Sequence, residues 1–350
     1  MKVLYHQPSL DSIYASRTIY NGFKNAFTHL GHAFETFTAG DNLESVLDKC
    51  RPDLFITASH SYYQKQINLK ILTKYRKAGL FVLVKVDFWN SPLSPWRINE
   101  ARSMSSDIGL VSLIRSGELG DGFFHVVESG DLRMVGFEEQ TGYNLHTIPL
   151  AADSIDLMPI LDNSNKSDIA YLGTCLPDKR EFFHKYVFPL SKEYHLRIEG
   201  QDWDRLDRIL GWAQRFGQYF NIPKLRSLRS PKFQIADEAK MYTNATVSIN
   251  VHEEYQRRFG GDCNERTFKI PFCGGFQVVD NVSCIKKYLE PGKEVVIGEN
   301  ESDWEEKIRH YLRYPDERLK IIEAGRIRVQ NEHTYCHRIK KISEIMGGKI

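Results

Sequence analysis

The sequence has no large excess of either charge, no close cysteine pair, no long apolar run and no glycine fingerprint after its first predicted strand. Each absence excludes a class. With 47 basic and 45 acidic residues the formal net charge is +2. The chain is therefore not a polycation that coats nucleic acid nonspecifically, although a local basic groove is compatible with it. The six cysteines (Cys50, Cys175, Cys263, Cys273, Cys284 and Cys336) are scattered, and none makes the CxxC spacing of a structural zinc site. Reduced thiols in a cytoplasmic protein are expected. The best apolar run, Leu80 to Val84, is strand-length, far short of the ~20 residues that cross a bilayer. Met1 to His6 leads straight into a short apolar run, with no secretory h-region or cleavage site after it. His6-Gln7-Pro8-Ser9 stands where a dinucleotide-binding G-x-G-x-x-G would follow the first strand, which argues against a dehydrogenase. No metal-ligand cluster is visible, so no metal is expected.

What is present fits an ordinary folded protein. Hydrophobic residues are 41% and charged residues 26% of the chain, and intrinsic disorder is not expected. The 350 residues suggest about two domains. Short branched and aromatic runs alternate with helical spacing. Strands are predicted at Val3 to His6, Ala33 to Phe37, Leu54 to Ala58 and Phe81 to Val86. Helices are predicted at Ser16 to Leu30, Asn42 to Cys50 and Tyr63 to Ala78. Ile108 to Val111 and Leu145 to Ile148 read as further strands. This order predicts a parallel, doubly wound α/β sheet with ligands at the carboxyl ends of its strands.

A polar stretch, Asp162 to Ser167, reads as an exposed linker. The alternation then restarts, from Ile169 to Leu172 onward, and ends in a helix from Thr334 to Met346. The expected organisation is a first Rossmann-like domain over 1–152, a linker over 153–167, a second Rossmann-like domain over 168–333, and a helix over 334–350 that crosses back to the first.

The most informative stretch is Asn264 to Asp280: a short helix, the pair Gly274-Gly275 and a buried strand. A helix N-terminus offers N–H groups and partial positive charge to a phosphate. Arg266 at that end adds a bidentate donor. The glycine pair lets the backbone pass close to a ligand or a neighbouring helix. From residues alone, a plain helix–glycine–strand unit is the competing reading.

Arg266 to Phe276 resembles the pattern R-T-F-E-I-P-A-C-G-G-F of the spore-maturation (CgeB-like) glycosyltransferases. Asp280-Asn281, Glu290-Pro291-Gly292-Lys293-Glu294, Tyr314 to Arg318 and Glu332-His333-Thr334-Tyr335 follow in that family's order. The resemblance covers about Ser167 to Met346. It implies a GT-B fold, with two Rossmann-like domains facing a central cleft. It also implies transfer of a sugar from a nucleotide-activated donor, such as a UDP-sugar, to an acceptor hydroxyl without a bound metal or other cofactor. Implied donor-site residues are Gly173, Thr174, Arg180, His252, Glu265, Arg266, Thr267, Phe268, Lys269, Gly274 and Gly275. There is one departure. The Glu-x7-Glu pair of many retaining GT-B enzymes is replaced by Gly261 and Lys269, and a lysine cannot accept hydrogen bonds from ribose hydroxyls. Glu265 or Asp262 are the candidate substitutes.

An inverting enzyme needs a general base in the first domain. Asp87, His60 and His6, each at a strand's carboxyl end, are the candidates in that order, against the plain reading of each as structural. Trp89 and Trp96 are candidates for stacking on a sugar or base. The basic run Lys224 to Lys232 is read either as a solvated loop or as a contact for a phosphate-rich acceptor. The expected acceptor is a glycan, protein, small molecule or modified nucleic acid. Competing readings are a nucleic-acid-modifying glycosyltransferase and a non-catalytic nucleotide-sugar-binding protein.

Overall fold

Branched and aromatic runs build two parallel sheets in the computed structural model, which describes residues 1–10, 12–13, 15–90, 104–220 and 222–348. The first sheet contains β1 (Lys2–His6), β2 (Ala33–Phe37), β3 (Leu54–Ala58), β4 (Phe81–Lys85), β5 (Gly122–His125) and β6 (Leu145–Thr147), in spatial order β2-β1-β3-β4-β5-β6. The second contains β7 (Ser167–Leu172), β8 (Leu196–Glu199), β9 (Ala245–Asn250), β10 (Gln277–Asp280) and β11 (Val296–Gly298), in order β11-β10-β9-β7-β8. Each order reverses direction once, between β1 and β3 in the first sheet and between β7 and β9 in the second. Such reversal points open crevices at the carboxyl ends of strands.

Side-chain alternation divides each strand between two cores. Phe55 packs into a cluster with Leu4, Val82 and Phe123 on one face of the first sheet. Leu54 and Ile56 pack on the other, with Val3, Phe23 and Phe27. That second cluster is completed from the far end of the chain. The helix Tyr335–Ile345 places Tyr335, Ile339 and Ile342 there, and Met346 follows. Ala152 is tied to Thr334 by a bridge, so the exit from the first sheet and the start of the last helix lie side by side.

Two sequence expectations need correction. Ile108 to Val111 is not a strand but the start of the helix Ile108–Arg115. Asp107 caps it, and Leu110 and Ile114, four apart, are its buried residues. The missing strand is β5, four residues buried on both faces, which have no alternation to reveal them. The single helix expected over Tyr63 to Ala78 is two, Ser61–Gln64 and Leu69–Lys77, because the Asn68 side chain caps a fresh start. The helix Arg205–Tyr219 lies where the sequence analysis placed no element; its apolar residues mark an exposed face rather than a core.

Candidate active site

A cleft of about 490 Å³ separates the two sheets. The second sheet contributes the ends of β7 and β8, with Gly173, Thr174 and Gln201, and the residues Asn264, Glu265, Arg266 and Lys269. The first contributes Lys85 at the end of β4, His125 at the end of β5, Phe88, and Arg17 and Thr18 from the helix Ala15–His29.

Arg266 occupies the reversal point of the second sheet. Its guanidinium donates to the Leu172 carbonyl (3.0 Å) at the end of β7. It also donates to the Asn250 Oδ1 (3.1 Å) and the Val251 carbonyl (2.9 Å) at the end of β9. It stacks over Tyr171 with 5.1 Å to the ring centroid. These contacts align the planar group beside Gly173, and two of its five N–H donors are left over for a ligand in the cleft. The helix N-terminus itself is closed as a phosphate seat. The Thr267 N–H donates to Asn264, and the Phe268 and Lys269 N–H groups donate to the Glu265 carbonyl. The Glu265 carboxylate adds negative charge at that end.

Lys269 neither reaches for phosphate nor stands in solvent. Its ammonium sits 3.4 Å from Glu238 and 3.4 Å from Glu265. Burial opposes its charge, but the two carboxylates outweigh that and hold its pKa above the ordinary lysine value. Glu265 also accepts from Tyr335 Oη (2.7 Å) on the last helix and from Thr18 Oγ1 (2.6 Å). Glu265 is thus committed. Asp262 is committed too, to Arg133 (2.6 Å) and Gln256 (2.8 Å). Glu238, on the helix Ile235–Asn244, lines the cleft and accepts from Tyr242 Oη at 3.0 Å. Sequence reasoning missed it. The one signal was indirect: a lysine on an otherwise apolar buried helix calls for a carboxylate partner, but nothing in the sequence names which.

Gly261 has an equally local explanation. A side chain there would meet Asp131, with the ideal Cβ 1.9 Å from Asp131 Oδ2. Asp131 and Asp262 both hold Arg133, at 2.6 Å each, and Arg133 also lies over the rings of Phe88, Tyr255 and Phe259. A buried ionic clamp joining the two sheets' loops therefore fills the place where the resembled pattern carries its first glutamate.

His125 is buried, and burial, with Lys85 and Arg133 nearby, pushes its pKa well below the usual histidine value. Its Nδ1 accepts from the Val127 N–H (3.0 Å), so the neutral ring carries its proton on Nε2. The ring is a hydrogen-bond donor at the cleft wall, not a base.

Several expected site residues lie elsewhere. His252 is buried against Asp280 (2.6 Å) and does not line the cleft. Thr267 and Phe268 are buried behind the cleft wall, Phe268 packed against Tyr288 and His333. Gly274, with φ of 72°, terminates its helix in the left-handed region, and Gly275 packs against the Tyr242 carbonyl; the pair serves chain reversal on the far side. Arg180 faces a separate groove. His6 lines a smaller chamber of about 90 Å³ at the reversal point of the first sheet, which shares Ile19, Lys85, Val126 and Leu150 with the cleft. Both its ring nitrogens are engaged, by Thr57 (2.9 Å) and Gln66 (3.2 Å), and burial pushes its pKa down to about 4. His60 caps the helix Ser61–Gln64 through Nδ1. The Asp87 N–H donates to Ser59 Oγ, and its carboxylate adds to the burial that pushes the Tyr63 pKa up to about 12; neither His60 nor Asp87 lines the cleft or the chamber. Trp89 is packed in the core against Phe137, not open for stacking, and Trp96 lies outside the described residues. Half of the basic run is tied up: Arg229 is buried on Asp202 and Asp207, and Lys232 pairs with Asp207 at the cleft rim, while Lys224 is exposed.

Comparison with known proteins places this architecture. Residues 179–344 match the glycosyl transferase-like family. The chain is 22% identical to spore protein CgeB of Bacillus subtilis over 206 residues, 54% of this chain and 57% of that protein; the matched part thus spans little more than half of that relative. An α-glucosyltransferase solved with UDP and a 13-mer DNA containing an HMU base superposes with a TM-score of 0.65 at 12% identity, over 99% of both chains. HepE of Anabaena, solved with UDP and glucose, gives 0.60 at 12% identity over 99% of both chains. Sucrose-phosphate synthase from Thermosynechococcus elongatus gives 0.60 at 12% identity, over 99% of this chain and 98% of that one. The fold is GT-B. The segment 179–344 is thus similar to glycosyl transferases, within a chain that shares its fold with solved glycosyltransferases.

Proposed function

We propose that the protein transfers a glycosyl group from a uridine-diphosphate sugar to an acceptor hydroxyl, without a metal. Arg266 carries this reading: a guanidinium held at a strand reversal point, facing a cleft that a second Rossmann-like half closes. Solved neighbours that contain UDP support the choice of nucleotide. In this reading the diphosphate lies along Gly173-Thr174 against Arg266, and Glu238 takes the ribose hydroxyls that Lys269 cannot accept. The Nε2–H of His125 donates to a sugar hydroxyl. The bond between the anomeric carbon and the diphosphate oxygen breaks, the acceptor oxygen bonds to that carbon, and the acceptor proton passes to the departing diphosphate oxygen. Arg266 and Lys85 offset the charge that develops on the departing diphosphate. Residues 1–152 form the acceptor half and 168–333 the donor half, joined by 153–167, with 334–350 crossing back.

Calorimetry against UDP-glucose, UDP, other nucleotides and nicotinamides tests this. UDP compounds should bind, and Arg266→Ala should weaken them by ~1.5–3 kcal/mol. Nicotinamide binding, or no nucleotide binding at all, sinks the reading. Donor hydrolysis separates an enzyme from a binding module.

A further inference from the structure

The helix Arg205–Tyr219 carries an apolar ridge that faces outward. Leu206 is 66% exposed, Ile209 62%, Trp212 72% and Phe216 53%. At about 100° per residue these four fall on one face. Arg205, Arg208 and Arg215 flank it. Arg208 and Arg215 are held by main-chain carbonyls rather than carboxylates. The helix has one acid, Asp207, and that residue is buried on Arg229 and Lys232. Beside the ridge opens a groove of about 710 Å³, whose walls carry Arg180, Arg205, Arg208 and Arg215 together with Asp178, Asp202, Glu253 and Glu254. It meets the donor cleft at Leu176, Glu253 and Tyr255.

We propose that this helix docks the protein on an anionic lipid surface. The ridge enters the boundary between headgroups and acyl chains, and the arginines of the same helix hold lipid phosphates. Exposed apolar residues beside cations on one helix face are the composition of an interfacial helix. Nucleic acid would use the aromatic rings but gain little from Leu206 and Ile209. A second copy of the chain, placed face to face, would oppose arginines to arginines. An anionic lipid surface satisfies both sets, its acyl chains covering the apolar side chains and its phosphates pairing with the cationic ones. The inference does not depend on the donor proposed above.

The test is co-sedimentation of the full chain with vesicles of phosphatidylcholine, alone or mixed with phosphatidylglycerol. Binding should require phosphatidylglycerol and weaken at high salt. The double variant R208E/R215E should lower the partition by at least about tenfold, since each basic residue near such a surface contributes on the order of 1 kcal/mol. I209S/W212S should lower it as well, and brominated lipid should quench less fluorescence in Trp212→Phe. Ile209, Trp212 and Arg215 are exposed and Arg208 is partly buried, and circular dichroism checks that each variant folds. No binding to anionic vesicles, or binding that none of these changes alters, overturns the proposal. So does duplex DNA retained through the same arginines without vesicle binding, or a dimer that I209S/W212S dissociates.

Discussion

Lys269 shows how a single side chain is assigned by its neighbours. A buried ammonium between Glu238 and Glu265 neutralises part of their charge and lets two carboxylates stand close together at the cleft wall. Lys269→Glu would put three carboxylates there. Removing one member of a buried ionic group costs ~3–5 kcal/mol, and the reversal should cost at least that. Urea unfolding should show the loss directly; unchanged stability with improved turnover would mean that the lysine is not structural. His6 sets a pH dependence. Its pKa is about 4 in the folded protein against an ordinary histidine value of 6.5, so between those limits the unfolded chain binds more protons than the native one. The stability from neutral His6 is present above pH 6.5 and is lost as pH falls toward 4. The size is about 3 kcal/mol. His6→Gln, which keeps polar contacts but cannot titrate, should flatten the acid side of a plot of unfolding free energy against pH. A profile identical to the parent's would show that other groups produce it.

At the scale of elements, the last helix matters more than its position suggests. Tyr335 lies against Gly22 of the helix Ala15–His29; a Cβ at Gly22 would stand 2.2 Å from the ring. The same tyrosine donates to Glu265, so one side chain links the first sheet's core to the cleft wall. Gly22→Ala should overpack this contact and cost ~1–3 kcal/mol. Because the ring would have to move, the Tyr335–Glu265 bond should weaken too. The expected readout is a lower thermal midpoint, largely restored when Tyr335→Leu is added. A neutral Gly22→Ala would show that the two helices part more easily than their packing indicates.

For the whole molecule, the question is what holds the halves at the spacing the cleft needs. Arg133 between Asp131 and Asp262 is a clamp across the gap, reinforced where Tyr288 and Lys287 meet Glu128. Arg133→Met keeps the stem but leaves two buried carboxylates unpaired. It should destabilise by ~3–5 kcal/mol and loosen the halves, raising the donor KM more than it changes kcat. Restoring compactness by adding Asp131→Asn would support the clamp. Small-angle scattering that stays the same in Arg133→Met, with unchanged KM, would remove it.

Much of this protein follows from the order of its residues. Apolar strands alternating with amphipathic helices dictate two parallel doubly wound sheets, because those strands need cover on both faces. The residues Arg266 to Phe276 place a short buried helix and a turn before β10. Helical spacing over Ile339, Ile342 and Met346 already requires a partner for that stripe. The sequence misled where burial overrides pattern: β5 shows no alternation because both its faces are covered, and the Arg205–Tyr219 helix shows a stripe that no core receives. Contacts between distant residues were beyond it. That Lys269 answers to Glu238, 31 positions away, and Gly261 to Asp131, across both halves of the chain, depends on how two sheets are set against each other. Ionic pairing and close approach act over a few ångströms of space, and only the tertiary structure decides which residues share it.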